Sequence, residues 1–377
     1  MKARLGDYIR EYSVRNKSEE DIPVYSVTNT QGFCQDYFGK EVASKDKSTY
    51  KIVPRGYFAY NPSRINVGSV DWQRYEDSVI VSPLYNVFSV TPELDQQYLF
   101  YYLKSNFALQ RIKAVARGSV RDNLRLEMLY EFPIRIPRIS EQIVIAGKLD
   151  KVKQILSLRE QQLAALDDLI KARFVEMFGD IIRNDKGWPQ CVFSDIASSR
   201  LGKMLDAKQQ TGKYKYPYLA NFNVQWFRFE LENLHEMDFN EADQAEFELK
   251  DGDLLVCEGG EIGRCAVWHN EVKPCYFQKA LHRVRCNSDI ILPDYLARWF
   301  QYNCEQGGFA SIEGAKATIA HLPGAKLKML NVTVPPINLQ EQFAAFVAQI
   351  DKSKSVIQKS LDETQLLFDS LMQEYFG

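Results

Sequence analysis

The feature that most constrains the fold of this 377-residue chain is an internal repeat about half as long as the chain itself. Glu141–Gln142 recurs as Glu341–Gln342, and each pair follows a proline-bearing run typical of a β-strand. Asp150–Lys153 recurs in the same order as Asp351–Lys354. A repeat of this length predicts a duplicated domain with its own helix rather than a solenoid of short repeats.

Each repeated segment has the spacing of one long helix. Apolar residues recur at alternating steps of three and four from Ile145 and again from Phe343, and neither segment contains a proline. This spacing keeps one seam of side chains facing one partner, the condition for a coiled coil, and the natural partner is the other helix. The predicted seam consists of Leu149, Val152, Leu156, Leu163, Leu166, Ile170, Ile350, Ile357, Leu361, Phe368 and Leu371. The alternative is two amphipathic helices that each cover their own domain, because a narrow apolar stripe does not identify the surface beneath it.

The segments that precede the two helices have the pattern of mixed α/β domains. Short β-branched and aromatic runs alternate with turns rich in Gly, Pro and Asn, and Pro92 and Pro293 are each placed to open a helix. Further matches between the halves keep one order along the chain. They are Gly56–Tyr60 with Gly252–Val256, Asn66–Gly68 with Glu261–Gly263, and Tyr98–Leu99 with Tyr295–Leu296.

These features divide the chain into residues 1–140, 141–180, 181–338 and 339–377, which gives a module and a helix in each half. The formal net charge is −2, and basic residues exceed acidic ones only in the first segment. Because protein–DNA affinity depends on neutralising phosphates, DNA binding by such a chain needs local basic patches or a positively charged partner.

The composition narrows the classes of protein. No apolar stretch is long enough to span a membrane and the first residues lack the apolar core of a signal peptide, so we expect a cytoplasmic chain. Seven cysteines, an odd number, favour reduced thiols over a disulfide framework. Their spacing, like that of the four histidines, is too wide for a zinc site, so we expect no metal.

Enzyme motifs are incomplete. Asn61–Arg64 begins like the Asn-Pro-Pro-Tyr/Phe loop of adenine methyltransferases but lacks its second proline and its aromatic residue. Glu258–Gly263 has neither the spacing of a dinucleotide loop nor that of a P-loop. Asp253 with Glu271–Lys273, or Glu248–Lys250, could be taken for a magnesium nuclease site, but neither has a counterpart in the first half. We therefore expect no catalytic residues.

The chain resembles the specificity subunits of type I restriction-modification systems over essentially its whole length. The resemblance rests on the order of module, proline-rich run, Glu-Gln and long helix, given twice, with Met177–Asp180 closing the first helix. Ile139–Asp150 and Leu339–Asp351 look like the openings of the conserved helices of that family. The fold class that this implies is α+β: two α/β target-recognition domains in a pseudo-two-fold repeat, separated by two long helices packed as an antiparallel coiled coil.

The same resemblance implies a non-catalytic reader of double-stranded DNA. Each target-recognition domain would recognise one half of a bipartite site, and the chain would scaffold two methyltransferase subunits for adenine-N6 methylation. Restriction/translocase subunits would be added for cleavage. S-adenosylmethionine, ATP and Mg²⁺ are then expected on the partner subunits, with no cofactor on this chain and no membrane partner.

Direct reading of base edges requires Arg, Lys, Asn, Gln, Ser or Thr side chains carried on loops. The candidates in the first domain are Lys45, Lys47, Asn61, Arg64, Asn66, Arg117, Ser119, Arg121 and Asn123. The candidates in the second domain are Lys203, Lys213, Lys215, Arg264, Gln278, Lys279, Lys316, Thr318 and His321.

Two other functions stay open at this level. A stand-alone DNA methylase or nuclease would need a catalytic site in one module. A coiled-coil scaffold without DNA contact would account for the helices but not for two loop-rich modules with basic and amide side chains.

Overall fold

The computed structural model describes residues 3–18, 20–35, 46–116, 123–205, 210–309 and 321–377. The chain forms two compact units. Unit 1 comprises Met1–Gln162 together with Ile357–Gly377, and unit 2 comprises Leu163–Val356. Each unit therefore combines one module with parts of both long helices, whereas the four predicted segments divide the chain by sequence order alone.

Unit 1 is built from short strands and helices, and it shares both long helices, α4 and α9, with unit 2. The strands are β1 (Ala3–Arg4), β2 (Ile9–Glu11), β3 (Ser26–Thr28), β4 (Gly32–Cys34), β5 (Lys51–Pro54), β6 (Phe58–Tyr60), β7 (Val70–Trp72), β8 (Ser78–Val81), β9 (Asn86–Val90) and β10 (Pro133–Ile134). The helices are α1 (Gln96–Lys104), α2 (Asn106–Val115), α3 (Leu126–Tyr130) and α4 (Ile139–Phe178).

Unit 2 has the same kinds of element. The strands are β11 (Gln190–Val192), β12 (Ala197–Leu201), β13 (Lys215–Leu219), β14 (Val224–Gln225), β15 (Arg228–Phe229), β16 (His235–Asp238), β17 (Leu254–Cys257), β18 (Cys265–Val267), β19 (Tyr276–Phe277), β20 (Leu281–Cys286) and β21 (Asn331–Thr333). The helices are α5 (Phe193–Ile196), α6 (Glu241–Phe247), α7 (Pro293–Glu305), α8 (Gly324–Lys328) and α9 (Ile337–Phe376).

The same antiparallel four-stranded sheet lies at the centre of each unit. Its strand order is β2-β9-β6-β7 in unit 1 and β12-β20-β17-β18 in unit 2. The predicted match of Gly56–Tyr60 with Gly252–Val256 is confirmed, because β6 and β17 hold the same place in their sheets. The order in which these strands occur along the chain is also the same in both units.

Both faces of this sheet are covered, which explains its continuously apolar central strands. Phe58 and Tyr60 lie in the core that contains α1, while Ala59 between them lies in a second core under β5 and β8. In unit 2, Leu254 faces the core that contains α7 and Leu255 faces the opposite one. Successive side chains of a strand point to opposite faces, so a fully buried strand needs apolar residues at every position.

The long helices meet within each unit. In unit 1, Ile145 and Leu149 near the start of α4 are buried in one core with Phe376 at the end of α9. In unit 2, Phe174 near the end of α4 lies with its ring centroid 5.5 Å from that of Phe343 near the start of α9. Because the start of one helix meets the end of the other, the two run antiparallel, as the fold class predicts.

The apolar seam packs each long helix against the other long helix and also against a module, so both predicted arrangements occur. All the predicted seam residues are buried or half-buried. Lys354, at one seam position of α9, donates to the Asp167 carboxylate of α4 at 2.6 Å. Leu149 also lies in one core with α1, so each helix packs against the other helix and covers a module at the same time.

The predicted alignment of the two Glu-Gln pairs is wrong by two residues. Gln142 accepts a hydrogen bond from the Asp95 amide at 2.9 Å and donates to the carbonyls of Glu93 and Pro137. Gln340, not Gln342, does the same in unit 2, where it accepts from the Leu292 amide at 2.9 Å and donates to two carbonyls. Both buried glutamines are the fourth residue of a 40-residue helix. Their hydrogen bonds set the true register of the repeat.

A second hydrogen bond is present within each unit, and it joins the helix after the central sheet to the segment that leads into the long helix. The Tyr98 hydroxyl donates to the Arg135 carbonyl at 3.0 Å, and the Tyr295 hydroxyl donates to the Thr333 carbonyl at 2.9 Å. The match of Tyr98–Leu99 with Tyr295–Leu296 is therefore confirmed as a structural one.

The predicted helix start at Pro293 is confirmed, because this proline is the first residue of α7. The predicted start at Pro92 is wrong. The α1 helix begins at Gln96, because the Asp95 carboxylate caps it by accepting a hydrogen bond from the Tyr98 amide at 2.8 Å. Pro92 lies instead in the preceding turn, which the Leu94 amide closes on the Thr91 carbonyl.

All seven cysteines lie in the described part of the chain, and none of them forms a disulfide there. Burial raises the pKa of the Cys257 thiol to about 11 and that of Cys275 to about 12, so these thiols stay protonated at neutral pH. Within the described ranges, no helix has the length and apolar character that a membrane-spanning segment needs.

The register of the repeat predicts which glutamines stabilise the fold. Gln142→Ala and Gln340→Ala should each lower the free energy of unfolding by about 1–3 kcal/mol, since each leaves buried backbone groups without a partner. The exposed Gln342 is the matched control, and Gln342→Ala should change stability by less than about 0.5 kcal/mol. Urea unfolding of the three variants measures this. Equal losses for Gln340→Ala and Gln342→Ala would contradict the register.

The buried tyrosines predict a loss of stability in alkali. Burial raises the pKa of Tyr98 to about 12, whereas a tyrosine of the unfolded chain ionises near pH 10. The folded state keeps its proton longer, so the stability that Tyr98 contributes is complete below pH 10 and is lost as the pH rises towards 12. Tyr98→Phe should cost about 1 kcal/mol at pH 7 through the lost hydrogen bond, and its stability should fall less steeply between pH 10 and 12. Urea unfolding of both proteins across this range tests the prediction, and parallel profiles would refute it.

Candidate nucleic-acid interface

One hairpin loop occupies the same place in both units. Residues 61–69 connect β6 to β7 in unit 1, and residues 258–264 connect β17 to β18 in unit 2. Each loop closes on a glycine in the left-handed region, Gly68 at φ 86° and Gly263 at φ 78°. Such a φ is strained for other residues, which gives the predicted match of Asn66–Gly68 with Glu261–Gly263 a physical cause. Most of the candidate readers that the structure describes lie on or beside these loops.

The loop of unit 1 is folded by its own side chains. The Asn61 side-chain oxygen accepts hydrogen bonds from the Ser63 amide at 3.1 Å and from the Ser63 hydroxyl at 2.8 Å. The Pro62 carbonyl accepts from the Leu124 amide at 3.0 Å, which brings the exposed Asn123 next to the loop. Asn66 follows in the short 3-10 helix Ile65–Val67. Asn61, Asn66 and Asn123 therefore lie together.

Arg64 lies at the mouth of a cleft of about 290 Å³ in unit 1. The cleft is also lined by Asn29, Asn61, Leu84 and three tyrosines. The Arg64 side chain is exposed, and among the described residues its guanidinium has no hydrogen-bond or ion-pair partner. Its donors are thus available to a ligand. Lys47 lies outside this group, although its carbonyl accepts from the amide of Tyr50, which lines the cleft.

Arg264 occupies the corresponding loop of unit 2 but is more restrained. Its Nη2 donates to the Asn221 carbonyl at 3.1 Å, and Glu261 lies 4.0 Å from its Nη1. Only 17% of the Arg264 side chain is exposed. This arginine therefore ties the loop to the 3-10 turn Asn221–Asn223 in addition to presenting a positive charge.

Three other candidates of unit 2 border the same loop. His321 forms a β-bridge with Gly259, and a side chain at Gly259 would lie 3.1 Å from the His321 ring. Gln278 and Lys279 belong to the turn between β19 and β20, and the next carbonyl, that of Ala280, accepts from the Glu258 amide. The structure thus brings Arg264, Gln278, Lys279 and His321 together.

The remaining described candidates of unit 2 surround Asp238 instead. Lys203 donates to the Asp238 carbonyl at 2.6 Å and to the Asp243 carboxylate at 2.5 Å, and only 11% of its side chain is exposed. Lys213 and Lys215 are exposed, and Lys215 pairs with Asp238 in the sheet. The internal ion pair with Asp243 engages the Lys203 ammonium, while the Lys203 carbonyl accepts from the Lys279 amide at 2.8 Å. Lys45, Arg117, Ser119, Arg121, Lys316 and Thr318 lie outside the described residues.

Sequence reasoning missed the apolar part of both surfaces. Leu84 is 75% exposed in the cleft beside Arg64, and Phe222 is 53% exposed next to Asn221, which Arg264 contacts. Apolar side chains contribute to DNA recognition by packing on thymine methyl groups or by wedging between bases. The signal was present in the sequence, because each residue stands in a turn motif, Ser82–Tyr85 and Asn221–Asn223, where a large apolar side chain has no core to enter.

The structure argues against the nuclease alternative, because its central carboxylate, Asp253, is bonded inside the fold. Asp253 is buried and accepts from Arg285 Nε at 2.7 Å and from Arg285 Nη2 at 3.1 Å, and the Lys250 amide also donates to it. A carboxylate held in this way braces the sheet. Within the part of the chain that the structure describes, no group of three His, Cys, Asp or Glu residues is placed to hold a metal ion.

Comparison with known proteins gives the family. The model of the type I restriction modification DNA specificity domain matches residues 6–167 and again residues 186–364. The chain is 20% identical over 295 residues to the specificity subunit of the type I restriction enzyme EcoKI of Escherichia coli K12. It is 23% identical over 291 residues to a putative type I restriction enzyme specificity subunit of Haemophilus influenzae. These matches cover 73% and 75% of this chain, and 63% and 70% of the relatives.

Solved structures share the fold. A chain from a structure of a type I restriction-modification system matches with a TM-score of 0.59 and 16% identity, covering 100% of this chain and 97% of that one. The S subunit of the type I restriction-modification system of M. genitalium matches with a TM-score of 0.57 and 14% identity, covering 100% and 96%. With the family model matched once in each half, in the order that the two units display, the chain belongs to the type I restriction-modification DNA specificity family.

Proposed function

We propose that the chain is the DNA-recognition subunit of a type I restriction-modification complex, and that each unit reads one half of a bipartite site in double-stranded DNA. The observation that carries this proposal is the duplicated hairpin loop, which carries Arg64 in unit 1 and Arg264 in unit 2, although at different positions of the loop. Two copies of one surface on one chain suit a target with two separate half-sites.

The side chains around each loop suit base reading. An arginine can donate two hydrogen bonds to the edge of guanine, an asparagine can pair with adenine, and apolar side chains contact the thymine methyl group. Arg64 and Leu84 line one cleft in unit 1, and the exposed Asn123 next to the loop supplies the asparagine. In unit 2, Arg264, Gln278 and Phe222 supply their counterparts. The different side chains on equivalent loops would give the two half-sites different sequences.

Partner subunits complete the complex in this proposal. The net charge of −2 supplies no general attraction to DNA, so two methyltransferase subunits would provide much of the phosphate contact and would carry out adenine-N6 methylation. Restriction/translocase subunits would add cleavage. S-adenosylmethionine, ATP and Mg²⁺ would then belong to these partners, and the complex would act on DNA in the cytoplasm.

The long helices offer surfaces for such partners. Ile143 and Val144 of α4 are exposed by 55% and 56% in unit 1, and Leu169 and Val175 of the same helix are exposed by 46% and 43% in unit 2. Exposed apolar groups that lie side by side, as Ile143 and Val144 do, are typical of sites of protein–protein contact. We place methyltransferase docking on these helix faces.

The exposed position of Arg64 predicts a change of specificity without a loss of stability. Arg64→Ala should relax one base position of one half-site, at a cost of about 1–3 kcal/mol in binding to the original base. Methylated adenines mapped by sequencing, in cells that carry the variant with its partner subunits, measure this directly. Arg55 lies before β6, at the opposite end of the strand from the loop, so Arg55→Ala is the matched control and should leave the methylated sequence unchanged.

Arg264→Ala provides the corresponding test in the other half-site. It should alter a base position in the half that Arg64→Ala leaves intact, and it should also lower the thermal stability of the protein because the bond to the Asn221 carbonyl is lost. If both variants methylate the original sequence with unchanged affinity, the hairpin loops do not read DNA.

A further inference from the structure

Unit 1 contains a second cavity, of about 480 Å³, that has no part in the proposed reading of DNA. It lies where α1, the turn between β3 and β4, and the two long helices meet. Phe100 of α1 stands at its base. We call this cavity the Phe100 pocket.

Three cationic side chains surround the Phe100 ring. The Lys104 and Lys153 ammonium groups each lie 5.5 Å from the ring centroid, and the Arg74 guanidinium carbon lies 5.8 Å from it. Attraction to the ring face offsets part of the repulsion between these cations. The pocket nevertheless holds three positive charges, each within 5.8 Å of the centroid of one ring.

Few carboxylates balance these charges. Asp71 is buried and binds Arg74 at 2.6 Å, while Glu160, the other acid that lines the pocket, has no cation within 4 Å among the described residues. Lys104 donates to the carbonyls of Asn29 and Gly68 and has no carboxylate partner there. Burial lowers the pKa of Lys104 to about 8 and Lys153 acts in the same direction, while Asp71 opposes them.

The corresponding place in unit 2 supplies its own anions. A cavity of about 340 Å³ there is lined by Arg298 and Lys354, together with Asp351 and Asp167. The register of the two 40-residue helices aligns Asp351 with Lys153, and Asp167 with Gln365 of the Phe100 pocket. Lys354 is paired with Asp167 at 2.6 Å. Unit 1 therefore has neither of these two acids. The neutral Gln365 stands in place of Asp167, and the cationic Lys153 stands in place of Asp351.

We propose that the Phe100 pocket binds a phosphate group of a small ligand, which takes the place of the two acids of unit 2. A tetrahedral oxyanion has enough acceptor atoms to bond several ammonium and guanidinium donors at once. Lys153 brings three donors, for which the described residues supply no acceptor. The free volume exceeds that of one phosphate, so a pyrophosphate fits as well. This inference does not depend on the DNA-reading role.

The experiment compares thermal unfolding of the full chain at pH 7 in millimolar sodium phosphate, in millimolar pyrophosphate and in sodium chloride of equal ionic strength. At a ligand concentration about ten times the dissociation constant, the wild-type chain should unfold about 2–4 °C higher with phosphate or pyrophosphate than with chloride. A larger shift with pyrophosphate identifies a diphosphate as the preferred ligand, and an equal shift identifies inorganic phosphate. Isothermal titration calorimetry should give one site per chain.

Two variants and one control make the result specific. Lys153→Gln should abolish the phosphate shift, whereas Lys151→Gln, an exposed lysine of the same helix outside the pocket, should keep it. Gln365→Glu restores an acid at the position of Asp167, so it should raise the unfolding temperature in chloride and remove the response to phosphate. A phosphate shift that is absent from the wild type, or that is equal in the Lys153 and Lys151 variants, would overturn the proposal, because phosphate also stabilises proteins through general exclusion from their surfaces.

Discussion

The structure depends on the burial of opposite ends of each long helix in different cores. Ile145 and Leu149 of α4 enter the core of unit 1, while Phe174 and Phe178 of the same helix enter the core of unit 2. The α9 helix does the reverse with Phe376 and Phe343. The core of each unit is therefore completed only by a helix end from the other half of the chain. The buried glutamine in the first turn of each helix fixes how that end meets its module.

The residues that stabilise each unit are separate from those proposed to recognise DNA. The central sheets are covered on both faces, and Tyr98 of α1 and Tyr295 of α7 each bond the segment that leads into a long helix. The hairpin loops stand on the ends of these buried strands, so their side chains can differ between the units without disturbing a core. Arg64 is exposed and without a partner in the described residues, whereas Arg264 is bonded to Asn221, so equivalent loops carry arginines in different settings.

Much of the fold could be predicted from the sequence, because the repeat and the seam spacing are physical periodicities. The register of the repeat could not be predicted in this way. The identical Glu-Gln pairs align Gln142 with Gln342, whereas Gln340 is the residue that makes the equivalent buried hydrogen bonds. The structure places several candidate readers together around the loops, whereas Lys203 is held by Asp243. The sequence does not show whether a charged side chain has a partner inside the fold, and the exposure of Leu84 depends on tertiary structure. Contact between these grouped side chains and DNA stays a prediction.

The measurement that tests the central claim most directly is an exchange of one module. Residues 185–338 would be replaced by the equivalent module of a family member with a different target, with the long helices of this chain retained. Methylated adenines would then be mapped by sequencing in cells that carry the chimera and its partner subunits. If the units read independently, one half of the recognised sequence changes to that of the donor and the other half stays as it was. A simultaneous change of both halves, in a chimera that folds and supports methylation, would contradict the account.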